Sequence, residues 1–455
     1  MRIVKITCSF LPEKIGGTEI YVYNLSKKLK SQGNEVDVVY IDSFFEKNNS
    51  FIKTYEYNFE GINVFVIKKN TYNQKTKDLY FTDSKEIYYI FKNYLKRINP
   101  DIVHFHHFSS TDIPLMMQAA KALSLPIILT YHTPQMTCGN SYMLYLKKIP
   151  CDGKLDYKRC LICIQTSFGI PYPLAYLWTN SPLFLSYSLS RIISFLNLKG
   201  PLFTLLELPY LTKIRIENLK KGFSLGDYFV AVCKWVYELL SKNGISEERI
   251  IFSPQGIENI SPIFKKQKSD TLILGYIGRI YHIKGIDTLI KAILKIPKNY
   301  KIKLLIYGMP HDKSEENYLN KLKKISSKDK RIEWKGKLNY QERFFILSQL
   351  DLLIIPSRWL ETGPLVLLES WSVGTPVIAS DRGGLSELIT DKKTGLLFEP
   401  ENYQQLKEII MKIYHNPKIL EELRKNIPYV RRMEEVAKEM LDLYNKVLWQ
   451  KKKLL

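Results

Sequence analysis

At 455 residues the chain is too long for one compact core, and it is expected to divide into two domains that share a cleft. A formal net charge of +22 narrows the candidate partners to anions: nucleic acid, an anionic membrane face, or phosphate-bearing substrates. The lysines are spread along the chain with no arginine–aromatic cluster, which argues against nucleic acid, and the lack of internal repeats excludes a solenoid.

Residues 1–8 carry an apolar run too short for a signal peptide and read as a first strand, which predicts a cytoplasmic protein. Gly16 and Gly17 then precede Thr18, expected as the N-cap of an amphipathic helix reaching about Ser31. In this strand, glycine turn and helix, the glycine pair lets backbone approach a ligand and the helix start favours negative charge. Strands expected at 35–40, 62–67, 101–106 and 126–132, with helices near 84–98 and 112–124, give a doubly wound pattern. His104, His106 and His107 are accompanied by no carboxylate triad and read as a polar strand end rather than a metal centre.

The regular pattern then breaks. Cys138, Cys151, Cys160 and Cys163 place four of the six cysteines in one insertion that ends in Cys-Leu-Ile-Cys. In a reducing compartment this grouping fits a tetrahedral structural zinc better than disulfides, with unligated buried thiols as the other reading. Residues 166–190 belong to the longest uncharged run, but Gly169, Pro171, Pro173 and Pro182 interrupt it, so it is not read as a membrane span. Within and beyond it, Ser186, Ser190, Ser194 and Asn197 fall on one helical stripe. Phe184, Leu185, Leu189, Ile192, Ile193 and Leu196 form a broad apolar face that must be buried somewhere. Two readings stay open: a core or lid element, or an interfacial anchor beside Lys199, Lys213, Arg215, Lys220 and Lys221. The sheet resumes at 227–233 and 249–253, and the Pro- and Gly-bearing stretch 254–262 marks a domain boundary.

The second half opens with a strand at 272–277, a basic loop holding Arg279 and Lys284-Gly285, and a helix. A guanidinium fork and a lysine at a strand exit can neutralise a diphosphate. Strands at 303–308 and 332–336 lead to a βαβ unit with strands 351–356 and 376–379. Gly363 is expected as its N-cap and Pro364 as its first helical residue. Glu361 then lies at a strand's carboxyl end and Glu369 more than a turn into the helix, both bordering the crevice where open α/β sheets bind ligands. Because Pro364 has no N–H, the amides offered to a ligand are those of Leu365 and Val366.

The string Pro356-Ser357, Glu361 and Glu369 separated by seven residues, and Gly374-Thr375-Pro376-Val377 resembles the signature of the family-4 retaining glycosyltransferases of the GT-B fold, the group 1 glycosyl transferases. Arg279 with Lys284-Gly285, the Gly16-Gly17 loop, and residues 381–387 and 394–398 resemble further family positions, so the likeness covers nearly the whole chain except about 134–220. It departs from the usual pattern at Gly363-Pro364, where an aromatic residue and a glycine are common.

The resemblance implies an α/β GT-B architecture of two Rossmann-like doubly wound domains facing a central cleft. The acceptor-side domain would span 1–255 with an insertion at about 134–220, the nucleotide-sugar domain 256–430, and a helix at 431–455 would return to the first domain. It implies transfer of a hexosyl group, with retention, from a nucleotide-diphosphate sugar to a glycan, lipid-linked or other acceptor. Attack would come from the same face, with the leaving phosphate helping to deprotonate the acceptor. Residue by residue, Glu369 would hold the ribose hydroxyls, Glu361 and the amides of Gly363, Leu365 and Val366 the sugar, Arg279 and Lys284 the leaving diphosphate, Gly16 and Gly17 the donor, and His132 a position close to the transferred sugar. Catalysis would need no cofactor, the only metal considered being zinc at the four cysteines, and the enzyme would sit in the cytoplasm or at the inner membrane face. Two alternatives are a nucleotide-sugar epimerase of the same fold and a catalytically inactive membrane-surface protein.

Overall fold

The computed structural model describes residues 1–44, 52–70, 85–109, 112–196, 198, 200–258, 266 and 269–454. Asn197, Lys199 and the last residues of the 254–262 boundary lie outside the described residues. The chain forms two compact units, one of residues 1–254 with 434–455 and the other of residues 255–433.

The first unit is built on an eight-stranded sheet. Its strands are β1 (Arg2–Thr7), β2 (Glu35–Phe44), β3 (Ile52–Phe59), β4 (Ile62–Asn70), β5 (Ile102–Phe105), β6 (Ile127–Tyr131), β9 (Tyr228–Ala231) and β10 (Ile250–Phe252), with β7 (Leu144–Tyr145) and β8 (Ile149–Pro150) forming a separate small hairpin. The order is β10-β9-β6-β5-β1-β2-β4-β3, and every pairing is parallel except β3 with β4. The central strands are apolar on both faces, as a sheet covered on both sides requires.

Strand β3 is absent from the sequence reading. It is an edge strand whose Tyr55, Tyr57 and Phe59 alternate with exposed Glu56 and Asn58. It is joined to β4 by Glu60 and Gly61, both with positive φ (47° and 80°), as a tight hairpin turn demands. The helix Gly17–Ser31 is capped by Gly16 and not by Thr18: its first bond runs from Ile20 N–H to Gly16 C=O at 3.0 Å.

His104 and His106 also differ from expectation. They are fully buried, not a polar strand end. His104 Nε2 lies 2.7 Å from Thr130 Oγ1 and its Nδ1 2.7 Å from the hydroxyl of Tyr444, on the helix Met433–Leu454. That helix is tied to the same sheet by Glu439, which accepts from Ser253 Oγ at 2.7 Å, and Gln450, which accepts from Tyr228 at 2.9 Å. The insertion continues after the small hairpin as four helices, Tyr157–Ser167, Tyr172–Thr179, Leu183–Phe195 and Pro201–Leu225. Among the described residues no helix is long and apolar enough to cross a membrane.

The second unit has six parallel strands: β11 (Leu272–Ile277), β12 (Ile302–Tyr307), β13 (Ile332–Gly336), β14 (Leu352–Ile355), β15 (Val377–Ser380) and β16 (Leu396–Phe398), in the order β13-β12-β11-β14-β15-β16. Alternate residues feed two cores. Leu352 and Ile354 join a cluster with Leu274 and Ile306, whereas Leu353 and Ile355 join one with Leu367 and Trp371 of the helix after β14. Strand order reverses between β11 and β14, so the loops leaving these neighbours flank the topological switch point, where open sheets of this kind bind ligands.

Candidate active site

The two loops at that switch point are locked together by backbone. After β11 the chain makes a short turn, His282–Lys284, and enters the helix Ile286–Leu294 through Gly285 at φ +68°. A Cβ there would lie 1.9 Å from the carbonyl oxygen of Pro356, the residue after β14, so only glycine fits. Arg358 fastens the contact: its N–H donates to Ile283 C=O at 2.8 Å, and its guanidinium donates to His282 C=O at 2.9 Å and to Asp287 Oδ2 at 2.6 Å.

This packing brings together two residues far apart in sequence. Lys284 Nζ donates to Glu361 Oε1 at 2.7 Å, and Ser357 Oγ donates to the same oxygen at 2.6 Å. Glu361 is buried, while Lys284 keeps partial access to solvent and lies 4.7 Å from the centre of the Trp359 ring. The turn after β15 presses on the Glu361 backbone: Gly384 N–H donates to Glu361 C=O at 2.7 Å, and a Cβ on Gly384 would come within 2.8 Å of that oxygen.

Arg279, on the same loop as Lys284, faces two carboxylates. Its Nε donates to Glu315 Oε2 at 2.9 Å and its Nη2 is 3.8 Å from Asp312 Oδ2. Glu315 is buried and also accepts from His311 N–H at 2.8 Å, so it fixes the guanidinium by the strand exit while leaving it about a third exposed.

The helix carrying Glu369 runs Leu365–Ser372, with Pro364 as N-cap, one residue later than expected for both Gly363 and Pro364. Gly363 instead takes φ +118°, a conformation glycine supplies cheaply. The first helical amides are those of Leu365 and Val366, and first-turn N–H groups lack intrahelical acceptors. Glu369 is buried and accepts from Arg343 Nε at 2.9 Å. Arg343 lies 3.4 Å from the centre of the Tyr340 ring and pairs with Glu258, which also accepts from Tyr340 at 3.2 Å. Burial pushes the Glu369 carboxyl above the usual glutamate range, and the Arg343 charge opposes this.

In the first unit, Gly16 and Gly17 open the first helix beside Glu19, which is buried and accepts from Ser9 Oγ at 2.6 Å and Cys8 Sγ at 3.0 Å. His132 follows β6 and is buried, with Nε2 3.0 Å from His106 Nδ1 and the Tyr21 ring centre 4.8 Å away, nearly edge-on. Burial, with a lesser contribution from Lys5, lowers its pKa to about 3, so the imidazole is neutral near pH 7. Lys5 is fully buried on β1 with no hydrogen-bond partner for Nζ among the described residues, and burial holds its pKa well below the lysine range.

The four cysteines all line one cavity of about 40 Å3, together with Asn140. Cys163 Sγ accepts from Asn140 Nδ2 at 3.0 Å and from Leu146 N–H at 3.3 Å, while Cys138 Sγ donates to Asn140 Oδ1 at 2.8 Å. Burial raises Cys160 and Cys163 to about 11. Among the described residues no group of three or more His, Cys, Asp or Glu side chains converges on a single point as a metal ion requires; the four thiols line the cavity apart from one another.

Of the residues singled out from sequence, Arg279, Lys284, Glu361, Gly363, Leu365, Val366 and Glu369 therefore lie on the second unit, with Lys284 and Glu361 in direct contact. Arg279 and Glu369 have separate partners, and Gly16, Gly17 and His132 belong to the first unit. Sequence reasoning missed Arg343, Glu315 and Glu258. Their partners are 26, 36 and 85 positions away, and none sits in a recognisable motif.

Two doubly wound sheets, the second with basic and acidic side chains meeting at its switch point, define an α/β protein with a candidate ligand site at that point. The chain belongs to the group 1, family 4 glycosyltransferases: residues 258–429 match the family described as glycosyl transferases group 1 and residues 15–153 match Glycosyltransferase Family 4.

An uncharacterized glycosyltransferase of Methanocaldococcus jannaschii is 28% identical over 205 residues, 43% of this chain and 51% of its own length; this chain thus spans about half of that relative. Another from the same organism is 22% identical over 98% of both chains. Among solved structures, sucrose-phosphate synthase from Thermosynechococcus elongatus superimposes with a TM-score of 0.64 at 19% identity, covering 99% of both chains. Anabaena HepE in complex with UDP-glucose superimposes with a TM-score of 0.57 at 14% identity, covering 100% of this chain and 99% of that one. These likenesses show the GT-B fold. The epimerase and inert-protein readings gain no support from the matches.

Proposed function

We propose that the protein is a retaining glycosyltransferase that takes its sugar from a nucleoside-diphosphate donor and places it on a glycan or lipid-linked acceptor. The observation that carries this reading is the Lys284–Glu361 contact across the switch point, with Arg279 on the same loop and Glu369 in the adjoining helix. The UDP-glucose bound to the Anabaena structure supports a nucleotide donor.

In this reading the diphosphate takes Lys284 from Glu361 and meets Arg279, so that two cations face the charge that grows on the departing phosphate. Glu361, relieved of its lysine, accepts from hydroxyls of the sugar, and the amides of Gly363, Leu365 and Val366 give it further anchorage. Glu369, oriented by Arg343, accepts from the ribose hydroxyls. The bond from the anomeric carbon to the phosphate oxygen breaks, and a bond to the acceptor oxygen forms on the same face. The acceptor's proton passes to the departing phosphate. Gly16 and Gly17 would lie along the donor, and His132 acts as a neutral hydrogen-bonding group.

Incubation with a panel of nucleotide sugars and lipid or glycan acceptors, read by mass spectrometry and by the anomeric coupling of the product, tests this. A product of inverted configuration would refute retention, and an epimer formed from donor alone would refute transfer.

We also propose a structural zinc at Cys138, Cys151, Cys160 and Cys163: the four thiols line one cavity, and binding would require them to draw together around the ion. Protein purified under reducing, chelator-free conditions is expected to carry about one zinc per chain; metal-free protein would leave the thiols unligated.

A further inference from the structure

The helix Leu183–Phe195 is built inside out. Two of its serines face the protein: Ser186 is 0% exposed and donates to Leu206 C=O at 2.9 Å, and Ser190 is 1% exposed and donates to Glu207 Oε1 at 2.8 Å. Most of its large apolar side chains face outward, with Phe184 64%, Ile192 53% and Phe195 89% exposed, while Ile193 turns inward. The preceding helix Tyr172–Thr179 does the same with Leu177 (67%), and the following one with Leu202 (64%). An apolar groove of about 410 Å3 lined by Ile170, Leu174, Leu177, Trp178, Leu205 and Leu206 runs through this surface.

A helix in contact with water turns its polar stripe out. Here the polar stripe is spent on the hydrogen bonds that attach the helix to Pro201–Leu225, which identifies the medium on the other side as apolar. Of the apolar face, Ile193 packs into the unit, whereas Phe184, Leu185, Ile192 and Leu196 are left exposed.

We infer that this face docks on an anionic lipid bilayer, lying in its interfacial plane. Length excludes crossing: helices of 8 and 13 residues reach roughly 12 and 20 Å, short of the ~30 Å hydrocarbon core. Tyr172, Tyr176 and Tyr187 supply exposed amphipathic rings of the kind that settle at headgroup level.

Charge selects the lipid. No Asp or Glu occurs from residue 157 to 206, a stretch that carries Lys158, Arg159, Arg191 and Lys199, and Glu207, the first carboxylate after it, is buried under Ser190. Nothing acidic on this face repels anionic headgroups, whereas a second copy of a chain with net charge +22 would meet like charge. The inference is independent of the catalytic reading.

Flotation of the full chain with vesicles of phosphatidylcholine containing about 30% phosphatidylglycerol, against phosphatidylcholine alone, tests it, with light scattering of the lipid-free protein alongside. The wild type is expected to float with the anionic vesicles and to bind the neutral ones more weakly. The combined variant Leu177→Ser, Phe184→Ser and Phe195→Ser is expected to lose on the order of a hundredfold in partition at unchanged melting temperature. Should that variant unfold, Phe195→Ser alone, at a side chain that touches little, is expected to lose severalfold.

Wild type that stays unbound to both vesicle types, or binding that the substitutions do not alter, overturns the inference. Equal binding to both vesicle types removes its charge component. A lipid-free dimer dissolved by the same substitutions would assign the face to a second copy instead.

Discussion

Replacing Gly285 with alanine tests whether the two switch-point loops must touch for the site to exist. Gly285 sits at φ +68°, where an L-residue costs about 1 kcal/mol, and its new Cβ would be placed 1.9 Å from Pro356 O. An ordinary contact there needs more than 3 Å, so one loop must withdraw by over an ångström. That motion breaks the bond from Arg358 N–H to Ile283 C=O, worth about 1 kcal/mol, and parts Lys284 from Glu361, a half-screened pair worth another ~1–2 kcal/mol. The sum is roughly 3–4 kcal/mol, which for a unit of this size lowers the melting temperature by about 6–16 °C. Donor affinity should fall with it, because the withdrawn loop carries Arg279 and Lys284. Calorimetric melting and titration with the preferred donor measure both. A Gly285→Ala protein that melts within a degree of wild type and binds donor equally would refute the close approach and the site built on it.

Glu369→Gln is expected to weaken donor binding by roughly tenfold to a hundredfold, since the ribose hydroxyls lose a charged acceptor worth about 1.5–3 kcal/mol. With the Glu369 carboxyl raised by burial, wild-type affinity should be full above its folded-state pKa and fall on acidification from a higher pH than an ordinary glutamate would give; an affinity flat down to pH ~4.5 contradicts this. Arg279→Ala and Lys284→Ala should each lower kcat/KM by roughly 10²-fold or more with a smaller loss of stability, and equal losses in rate and melting would mark them as structural. Lys5→Met should raise stability at neutral pH by about 1–3 kcal/mol, because an unpartnered buried amine is removed. As the folded pKa is depressed, the amine costs nothing above the unfolded pKa and progressively more as pH falls. The gain should therefore shrink towards pH ~10.5, and a pH-independent difference would refute it.

The elements around the site were legible because their signals are local. The apolar runs of β11, β14 and β15 and the glycines and prolines that follow each of them mark the strand ends and the loops beside them. Lys284 and Glu361 could be named individually for the same reason, but their contact could not: it depends on β11 lying beside β14, a fact of sheet order. Arg343, which orients Glu369, carries no local mark at all, since its role arises from the fold of a neighbouring helix. The hairpin strand β3 was overlooked although Glu60-Gly61 signals its turn, because its exposed edge dilutes the apolar pattern. Of the expected polar stripe, Ser186 and Ser190 do share one face, but periodicity reports only that two faces differ, not which one meets the protein.

The helix Met433–Leu454 has a consequence for how the molecule is made. Its tyrosine hydroxyl at 444 completes the hydrogen bonding of His104, and Val436, Ala437, Met440 and Leu443 are buried in a unit whose sheet is otherwise finished by residue 252. Synthesis proceeds from the amino end, so a nascent chain presents the first sheet with this apolar seat vacant throughout the production of residues 255–433. The first unit to begin folding is the last to be closed. During that interval its exposed seat is the natural target for a chaperone, and translation arrested after the second unit has emerged but before the terminal helix does would leave a complete second unit beside an unsealed first one.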